Sequence, residues 1–211
     1  MRTITAITPT KDPGRASIKV DRRRVATLRD SLIADLGLTV GEVWDDDLAS
    51  RVAEAQQYDK ALRDAMNRLN RRALSTTQLA DALRRTGFSE TITQRALDRL
   101  SELNVLDDES LGRALIEEIL ARKPAGPRLL RQKLMQRGLD RNLADRLADE
   151  AGHERDEVAE AATLAAGRLE TMRSLDEATR RRRLWSMLGR RGFDPETIEA
   201  ALARLDESLR A

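Results

Sequence analysis

Three segments of the chain share one pattern, in which an apolar helical stripe and a basic turn are followed by a glycine, a large apolar residue and a new helix start. Their sequences are LADALRRTGF, LRQKLMQRGL and LWSMLGRRGF. Aligned on Gly87, Gly138 and Gly192, each has leucine eight and four positions earlier. A unit that recurs at this interval, roughly fifty residues, predicts a repeat architecture, in which neighbouring units bury apolar surface together and present an extended surface to a large partner.

The composition indicates a helical protein with a heavily charged surface. The 211 residues are 40% hydrophobic, 35% charged and 2% aromatic. Because there is no cysteine, disulfides and thiolate metal sites are excluded, and the single His153 cannot form a histidine cluster. The N-terminus lacks the apolar stretch of a signal peptide, and no segment approaches the roughly 20 apolar residues that span a bilayer. We therefore expect a soluble, cytoplasmic protein that does not bind membranes.

The first residues differ from the rest of the chain. Short β-prone runs at 4–8, 17–20 and 25–28 predict a β-hairpin or a three-stranded element. Such a small sheet is marginal alone in water, so we expect it to dock on a helix or to be partly mobile. From Asp45 onward, apolar residues recur at helical spacing, which predicts one long amphipathic helix or two in series.

The remaining pattern predicts a unit of three helices that occurs three times. Each glycine of the shared pattern is expected to adopt a left-handed conformation at a helix end. The third copy is expected to carry one additional residue after its glycine, because Ile198 lies six positions beyond it whereas Ile92 and Leu143 lie five beyond theirs. Helices are expected at about 154–173, 176–191 and 195–209 in this copy. The predicted domains are 1–44, 45–103, 104–152 and 153–211.

The residues that resemble catalytic groups have structural interpretations. Asp107 and Asp108 are adjacent carboxylates at a predicted helix start, where capping of backbone amides is the better account. His153 lies in a polar connection and is expected to be an exposed linker residue. Trp44, Trp185 and Tyr58 are too dispersed for a base-stacking platform, and each is expected to pack between repeats or to dock the hairpin. Since no phosphate-binding glycine loop occurs either, we expect no enzyme, metal site or cofactor.

Positive charge is concentrated locally, although the net charge is only +2. Residues 178–192 carry six arginines and no acid, and four of them are consecutive. Four consecutive helical residues sweep roughly 300° and cannot share one face. The stem of Arg181 is expected at the core edge, and the other arginines face water or a partner.

A second basic set lies on the equivalent helix of the middle repeat. The candidate partner-binding track comprises Arg131, Arg137, Arg180, Arg182, Arg183 and Arg190.

These residues also match a known family. The match begins at Ala61, Leu69, Arg72 and Ser75, which lead into Leu79, Leu83 and Gly87. It continues with Val105-Leu106-Asp107-Asp108, Ala114, Arg122, Gly126, Leu134 and the QRGLD that follows. The chain thus resembles RecX, the bacterial regulator of the RecA recombinase, most specifically over residues 61–147.

The resemblance implies a non-catalytic protein of three tandem three-helix repeats, curved into an elongated body. It also implies binding within the groove of the RecA–DNA filament, with inhibition of strand exchange, ATP hydrolysis and stimulated repressor cleavage. End capping and groove filling stay open as modes of inhibition. We expect a monomer with weak, non-specific DNA contact. The alternative is a stand-alone helix-turn-helix DNA-binding module, for which Arg131, Gln132 and Gln136 are the nearest to a set that reads base edges.

Overall fold

The computed structural model describes residues 1–172 and 174–210, and the side chains of these residues except 170, 209 and 210. The chain forms two compact units. The first comprises Met1–Leu74 and Gln78–Leu106, and the second comprises Ser75–Thr77 and the chain from Asp107 onward. The predicted fold class, mainly helical with a small N-terminal β element, is confirmed. The boundaries of the four predicted domains stay predictions.

The N-terminal β element is a three-stranded antiparallel sheet in which the middle strand pairs with both neighbours. Its strands are β1 (Ile4–Pro9), β2 (Arg15–Val20) and β3 (Arg23–Arg29). Asp21 and Arg22 join β2 to β3 with φ angles of 47° and 67°. Two-residue loops with positive φ at both positions match the twist of the paired strands, which explains the tight connection. A short helix, α1 (Asp30–Asp35), follows the sheet.

The sheet docks on the first long helix, as predicted for an element that is too small to be stable alone. This helix, α2 (Asp46–Leu69), is continuous, and the side chain of Asp45 caps it by accepting a 2.8 Å hydrogen bond from the amide of Leu48. Apolar residues of β2 and β3 share one buried cluster with the apolar face of α2. The same cluster includes apolar residues of α3 (Thr76–Arg85) and α4 (Glu90–Glu102).

A buried carboxylate joins the sheet to α2. Asp59 is fully buried, and its Oδ2 lies 2.5 Å from Nη2 of Arg15 on β2. Its Oδ1 accepts a 2.8 Å hydrogen bond from Nε of Arg29, the last residue of β3. Both carboxylate oxygens are therefore paired with arginine donors, which offsets the cost of removing the charge from water.

The second unit contains the helices of the second and third repeats, with one apolar cluster for each. The helices are α5 (Asp108–Arg122), α6 (Pro127–Gln136), α7 (Arg141–His153), α8 (Glu157–Leu169), α9 (Glu177–Arg190) and α10 (Pro195–Arg210). The predicted helix 154–173 is shorter in the structure, because a 3₁₀ turn, Glu170–Met172, follows α8; residue 173 lies outside the described residues. His153 is exposed, as predicted, but it is the last residue of α7, so its assignment to a linker is wrong.

The glycine at the end of the second helix makes the same corner in every repeat. Gly87, Gly138 and Gly192 have φ angles of 99°, 87° and 86°, so their predicted left-handed conformation is confirmed. In each copy the amide of the next residue donates to the carbonyl of the leucine five positions earlier, which is the long hydrogen bond of a Schellman cap. These bonds are Phe88 to Leu83 (3.4 Å), Leu139 to Leu134 (3.2 Å) and Phe193 to Leu188 (3.3 Å).

The helix that follows each corner starts at the same offset. Ser89, Asp140 and Asp194 lie two positions after their glycines, and the side chain of each accepts from a backbone amide of the next helix. The predicted additional residue in the third copy is therefore wrong. Ile198 corresponds to the buried Thr93 and Ala144, each six positions after its glycine. Residues five and six positions beyond the glycine both face inward to some extent, so apolar character alone does not fix the register.

Helix α9 is one turn longer at its start than its counterparts. Helix α3 begins at Thr76 and α6 at Pro127, at equal distances along the chain from their corner glycines. Relative to its own glycine, α9 begins four positions earlier, at Glu177. The side chain of Asp176 caps the additional turn by accepting a 2.9 Å hydrogen bond from the amide of Thr179. This bond is also the main reason that the pKa of Asp176 lies below its usual range.

The corner of the third repeat contacts the start of α6 through the backbone. The amide of Gly126 donates to the carbonyl of Arg191 (2.9 Å), and that of Arg128 donates to the carbonyl of Gly192 (3.2 Å). A Cβ on Gly126 would lie 2.5 Å from the amide nitrogen of Phe193. The guanidinium of Arg191 also donates to the carbonyl of Pro124 at 2.9 Å. The second and third repeats are thus held together by main-chain contacts that require two glycines.

Candidate functional site

The arginines of α9 spread around the helix, as the sequence predicted. Arg180 is half-buried, and Arg181, Arg182 and Arg183 are exposed. Nη1 of Arg181 lies 3.2 Å from Oδ2 of Asp206 on α10, so its charge is balanced within the protein. Arg180 and Arg181 both lie beside a small groove lined by apolar residues of α9 and α10, and the core-edge position is therefore shared.

Four of the predicted track residues have no carboxylate partner among the described residues. Within this part of the chain, no acidic oxygen lies within 4 Å of the guanidinium groups of Arg180, Arg182, Arg183 or Arg190. Nη1 of Arg190 donates a 2.6 Å hydrogen bond to Oγ of Ser186, one turn earlier. These groups are strong charge-assisted donors, and their hydrogen-bonding capacity is available to a partner.

The two predicted residues on the middle repeat are in a different situation. Arg131 lies next to Asp145, and its Nη2 lies 2.9 Å from Oδ1 of Asp149, so two carboxylates of α7 balance its charge. Arg137 is half-buried and also takes part in an intramolecular interaction. The contribution of these two arginines to a continuous basic track stays a prediction.

Arg131 also lines a cavity of about 560 Å³ within the second unit, formed near the starts of α6 and α10. Its lining mixes both signs of charge, since Arg128 and His153 lie together with Asp149 and Glu157. Burial raises the pKa of Glu157, and the neighbouring Arg155 opposes that effect. Among the described residues, no cluster of three or more histidine, cysteine or acidic side chains is arranged to hold a metal ion.

A second groove lies on the other side of α9 from the Asp206 contact. Arg183 and Arg190 line it together with Arg168 of α8, and the cavity volume is about 300 Å³. Sequence reasoning missed Arg168, because it is a single basic residue at the end of a largely apolar helix. Its position could have indicated a place near α9, because Arg168 lies in the last turn of α8, directly before the 3₁₀ turn that leads toward α9.

The aromatic residues show two environments. Tyr58 is buried in the first unit, and the guanidinium of Arg95 lies 4.3 Å from the centre of its ring, in a cation–π contact. Trp185 lies on α9 and is 38% exposed. An exposed tryptophan on the arginine-bearing helix adds an apolar contact to this surface.

An exposed network of charged side chains joins α5 to α7 in the middle repeat. Glu109 and Arg113 of α5 form an exposed network with Arg146 and Glu150 of α7, with separations of 2.7 to 3.0 Å. Hydrogen bonds from Arg146 and Arg113 lower the pKa of Glu109, and those from Arg146 contribute most to lowering that of Glu150. Among the described residues, this network contrasts with the arginines Arg182 and Arg183 of α9, for which no ion pair is present.

Within the part of the chain that the structure describes, none of the helices combines the length and the apolar character needed to cross a bilayer.

Comparison with known proteins gives a consistent family. Three family models match in chain order: the first three-helix domain of RecX at residues 61–100, the second at 107–147 and the third at 155–202. Regulatory protein RecX of Prosthecochloris aestuarii is 36% identical over 146 residues, covering 69% of this chain and 93% of that protein. Regulatory protein RecX of Leuconostoc citreum is 28% identical over 201 residues, covering 94% and 74%.

Solved structures agree on the fold. A crystal structure of regulatory protein RecX superimposes with a TM-score of 0.81 at 21% identity, covering 94% of this chain and 98% of that one. The crystal structure of RecX from Lactobacillus salivarius gives 0.66 at 19% identity, covering 72% and 98%. The family models account for more than half of the sequence, and the Prosthecochloris protein aligns with over two thirds of it. The chain belongs to the RecX family.

Proposed function

We propose that the protein regulates RecA by binding within the groove of the RecA–DNA filament. In this proposal it inhibits the recombinase, the ATP hydrolysis and the coprotease activity of RecA, and acts as a cytoplasmic monomer without catalytic activity of its own. Membership of a family of regulatory proteins supports the role. The observation that carries the mode of binding is the set of arginines on α9, other than Arg181, that lack a carboxylate partner among the described residues.

Electrostatics supports an external partner for this surface. Arg180 and Arg183 lie three positions apart on α9, where like charges on a helix are neighbours and repel one another, so this pair of charges contributes nothing favourable to folding. Exposed charges in general change stability little, whereas a local positive field accelerates association with a negatively charged surface. A nucleoprotein filament presents both phosphates and acidic side chains. The arginines of α9 are therefore better explained by binding than by stability.

The stand-alone DNA-binding module has less support. Its base-reading set would need Arg131, but that side chain is held by Asp145 and Asp149. Oε1 of Gln136 accepts a hydrogen bond of 3.2 Å from Nζ of Lys133 on the same helix. With a net charge of +2, binding to DNA alone is expected to be weak and to fade between low and physiological salt. Tight, sequence-selective binding to free DNA at physiological salt would favour the module instead.

The direct test is the concentration that half-inhibits DNA-dependent ATP hydrolysis by RecA, together with co-sedimentation of the protein with RecA filaments. The double variant Arg182→Glu, Arg190→Glu is expected to retain its helix content by circular dichroism and to inhibit at least about tenfold less well, which corresponds to about 1.4 kcal/mol. The matched control is Arg141→Glu, Arg204→Glu, which changes the charge equally at exposed sites away from the α9 arginines.

Two results would contradict the proposal. If the unmodified protein neither sediments with the filament nor inhibits hydrolysis, the regulatory role is wrong. If the double variant folds normally and inhibits as well as the parent protein, the arginines of α9 are merely solvated and the filament contacts lie elsewhere.

A further inference from the structure

The groove between α8 and α9 combines three arginines with an apolar floor. Arg168, Arg183 and Arg190 line it, and the half-buried Met172 and Met187 lie among them. Both methionines pack against the apolar cluster of the third repeat on their inner side. Their outer side faces the groove, so a ligand there would contact sulfur and methylene groups between positively charged rims.

The described side chains leave the charge of this groove unbalanced. Among the described side chains, no carboxylate oxygen lies within 4 Å of the three arginines. Two arginines on other faces of the same repeat do have such partners, namely Asp206 for Arg181 at 3.2 Å and Asp156 for Arg204 at 3.5 Å. The three arginines therefore give this groove a positive charge that the described side chains do not balance, and a ligand that complements it carries negative charge.

We infer that the groove binds a segment of a partner protein in which carboxylate side chains flank an apolar side chain. The planar guanidinium groups of the three arginines can each pair with a carboxylate through two hydrogen bonds. The methionines of the floor are flexible and polarisable, which suits them to an apolar side chain of varied shape. The inference rests on the proposed function, since it assigns the groove to the protein subunits of the filament.

Nucleic acid satisfies this groove less well. A phosphate group would pair with the arginines but would leave the methionine floor without an apolar contact. Base stacking needs an aromatic platform, and none of the described lining residues is aromatic. The volume of about 300 Å³ lies at the lower end of the range of ligand pockets, which is about 300–1,000 Å³, so it fits a few side chains of a docked segment.

The experiment compares two affinities for each variant, one for RecA filaments assembled on single-stranded DNA and one for the same DNA alone, over a series of salt concentrations. The variants are Arg183→Glu and Arg168→Glu, both at exposed positions that should not disturb folding. The matched control is Arg204→Glu, which makes the same charge change on α10, outside the groove. Circular dichroism and a thermal melt verify that each variant is folded.

We expect each groove variant to bind the filament about tenfold more weakly than the control, as for the loss of one well-placed charge pair, with affinity for bare DNA equal to that of the control. An equal loss of affinity for bare DNA, with a shallower salt dependence, would assign the groove to phosphates and overturn the inference. Filament affinity equal to the control would also overturn it, while leaving the proposed function intact. If the unmodified protein does not bind the filament, both the inference about the groove and the proposed function are wrong.

Discussion

Arg15 and Asp59, far apart in the chain, form an ion pair of 2.5 Å that fastens strand β2 to helix α2. The carboxylate is fully buried, whereas both side chains are at least partly exposed in pairs such as Arg122 with Glu118 and Arg141 with Asp145. A buried charge depends on its partners, because the free energy of removing it from water is recovered only through them.

Replacing this carboxylate by an amide of the same size should destabilise the first unit strongly. Asp59→Asn leaves Arg15 and Arg29 without their negative partner, at an expected cost of about 3–5 kcal/mol in the free energy of unfolding. The control is Asp64→Asn on the same helix, where a partly exposed pair with Arg68 is worth about 0–1 kcal/mol. Urea unfolding followed by circular dichroism measures both, and equal effects for the two variants would show that the buried pair does not fasten the sheet.

The two outer corner glycines should differ in their tolerance of a side chain. Gly87→Ala meets no atom within 4 Å and costs only the strain of a left-handed backbone, about 1–2 kcal/mol. Gly192→Ala adds a collision with the backbone of Leu129, and overpacking of this kind costs about 1–3 kcal/mol more. Thermal melts of the two variants should therefore separate clearly. A smaller loss for Gly192→Ala would mean that the second and third repeats are not held at this contact.

The hairpin loop between β2 and β3 offers a stabilising change. Arg22 has a φ of 67°, which costs a non-glycine residue about 1–2 kcal/mol. Arg22→Gly removes that strain and loses about 0.5–1 kcal/mol through the greater entropy of glycine in the unfolded chain, so a net gain of about 0.5–1 kcal/mol is expected. The adjacent Arg23→Gly, in an extended strand, should destabilise instead. A shift of both variants in the same direction in a denaturant titration would contradict this account.

Acid should weaken the contact between α5 and α7. The folded state lowers the pKa of Glu109 and Glu150 below the ordinary value of 4.5, so their contribution is complete at neutral pH and is lost as the pH falls through the lowered values. Arg146→Ala removes the principal donor, and its free energy of unfolding should change less between pH 7 and pH 3 than that of the parent. Denaturant titrations at several pH values give this comparison, and parallel pH profiles would contradict the assignment.

Local signals predicted the repeated corner well. Gly87, Gly138 and Gly192 are recognisable because helix caps depend on residues within one or two turns, all adjacent in sequence. The position of Ile198 was misassigned because apolar spacing leaves one residue of freedom in the register of a helix face. The capping residue Asp194 would have resolved it, since its offset from the glycine equals that of Ser89 and Asp140.

Contacts between distant segments were beyond the same reasoning. Asp59 lies on the apolar face of α2 between Ala55 and Leu62, and a carboxylate on a buried stripe is a signal for a buried pair. Its partners on β2 and β3 could not be named without the fold. Likewise, the arginines of α9 were identified from their number, but the groove that Arg183 shares with Arg168 depends on how α8 packs beside α9.

The longer start of α9 suggests how a duplicated unit acquires a new surface. The glycine corner at the helix end fixes the register of everything that follows it, so lengthening the helix there would displace the next copy. The opposite end is free of that constraint, and the added turn, Glu177–Arg180, brings the first of the four consecutive arginines without altering the corner at Gly192. In a repeat of this kind, the surface can change at the start of the second helix, while the glycine at the end of that helix keeps the following helix in the same position.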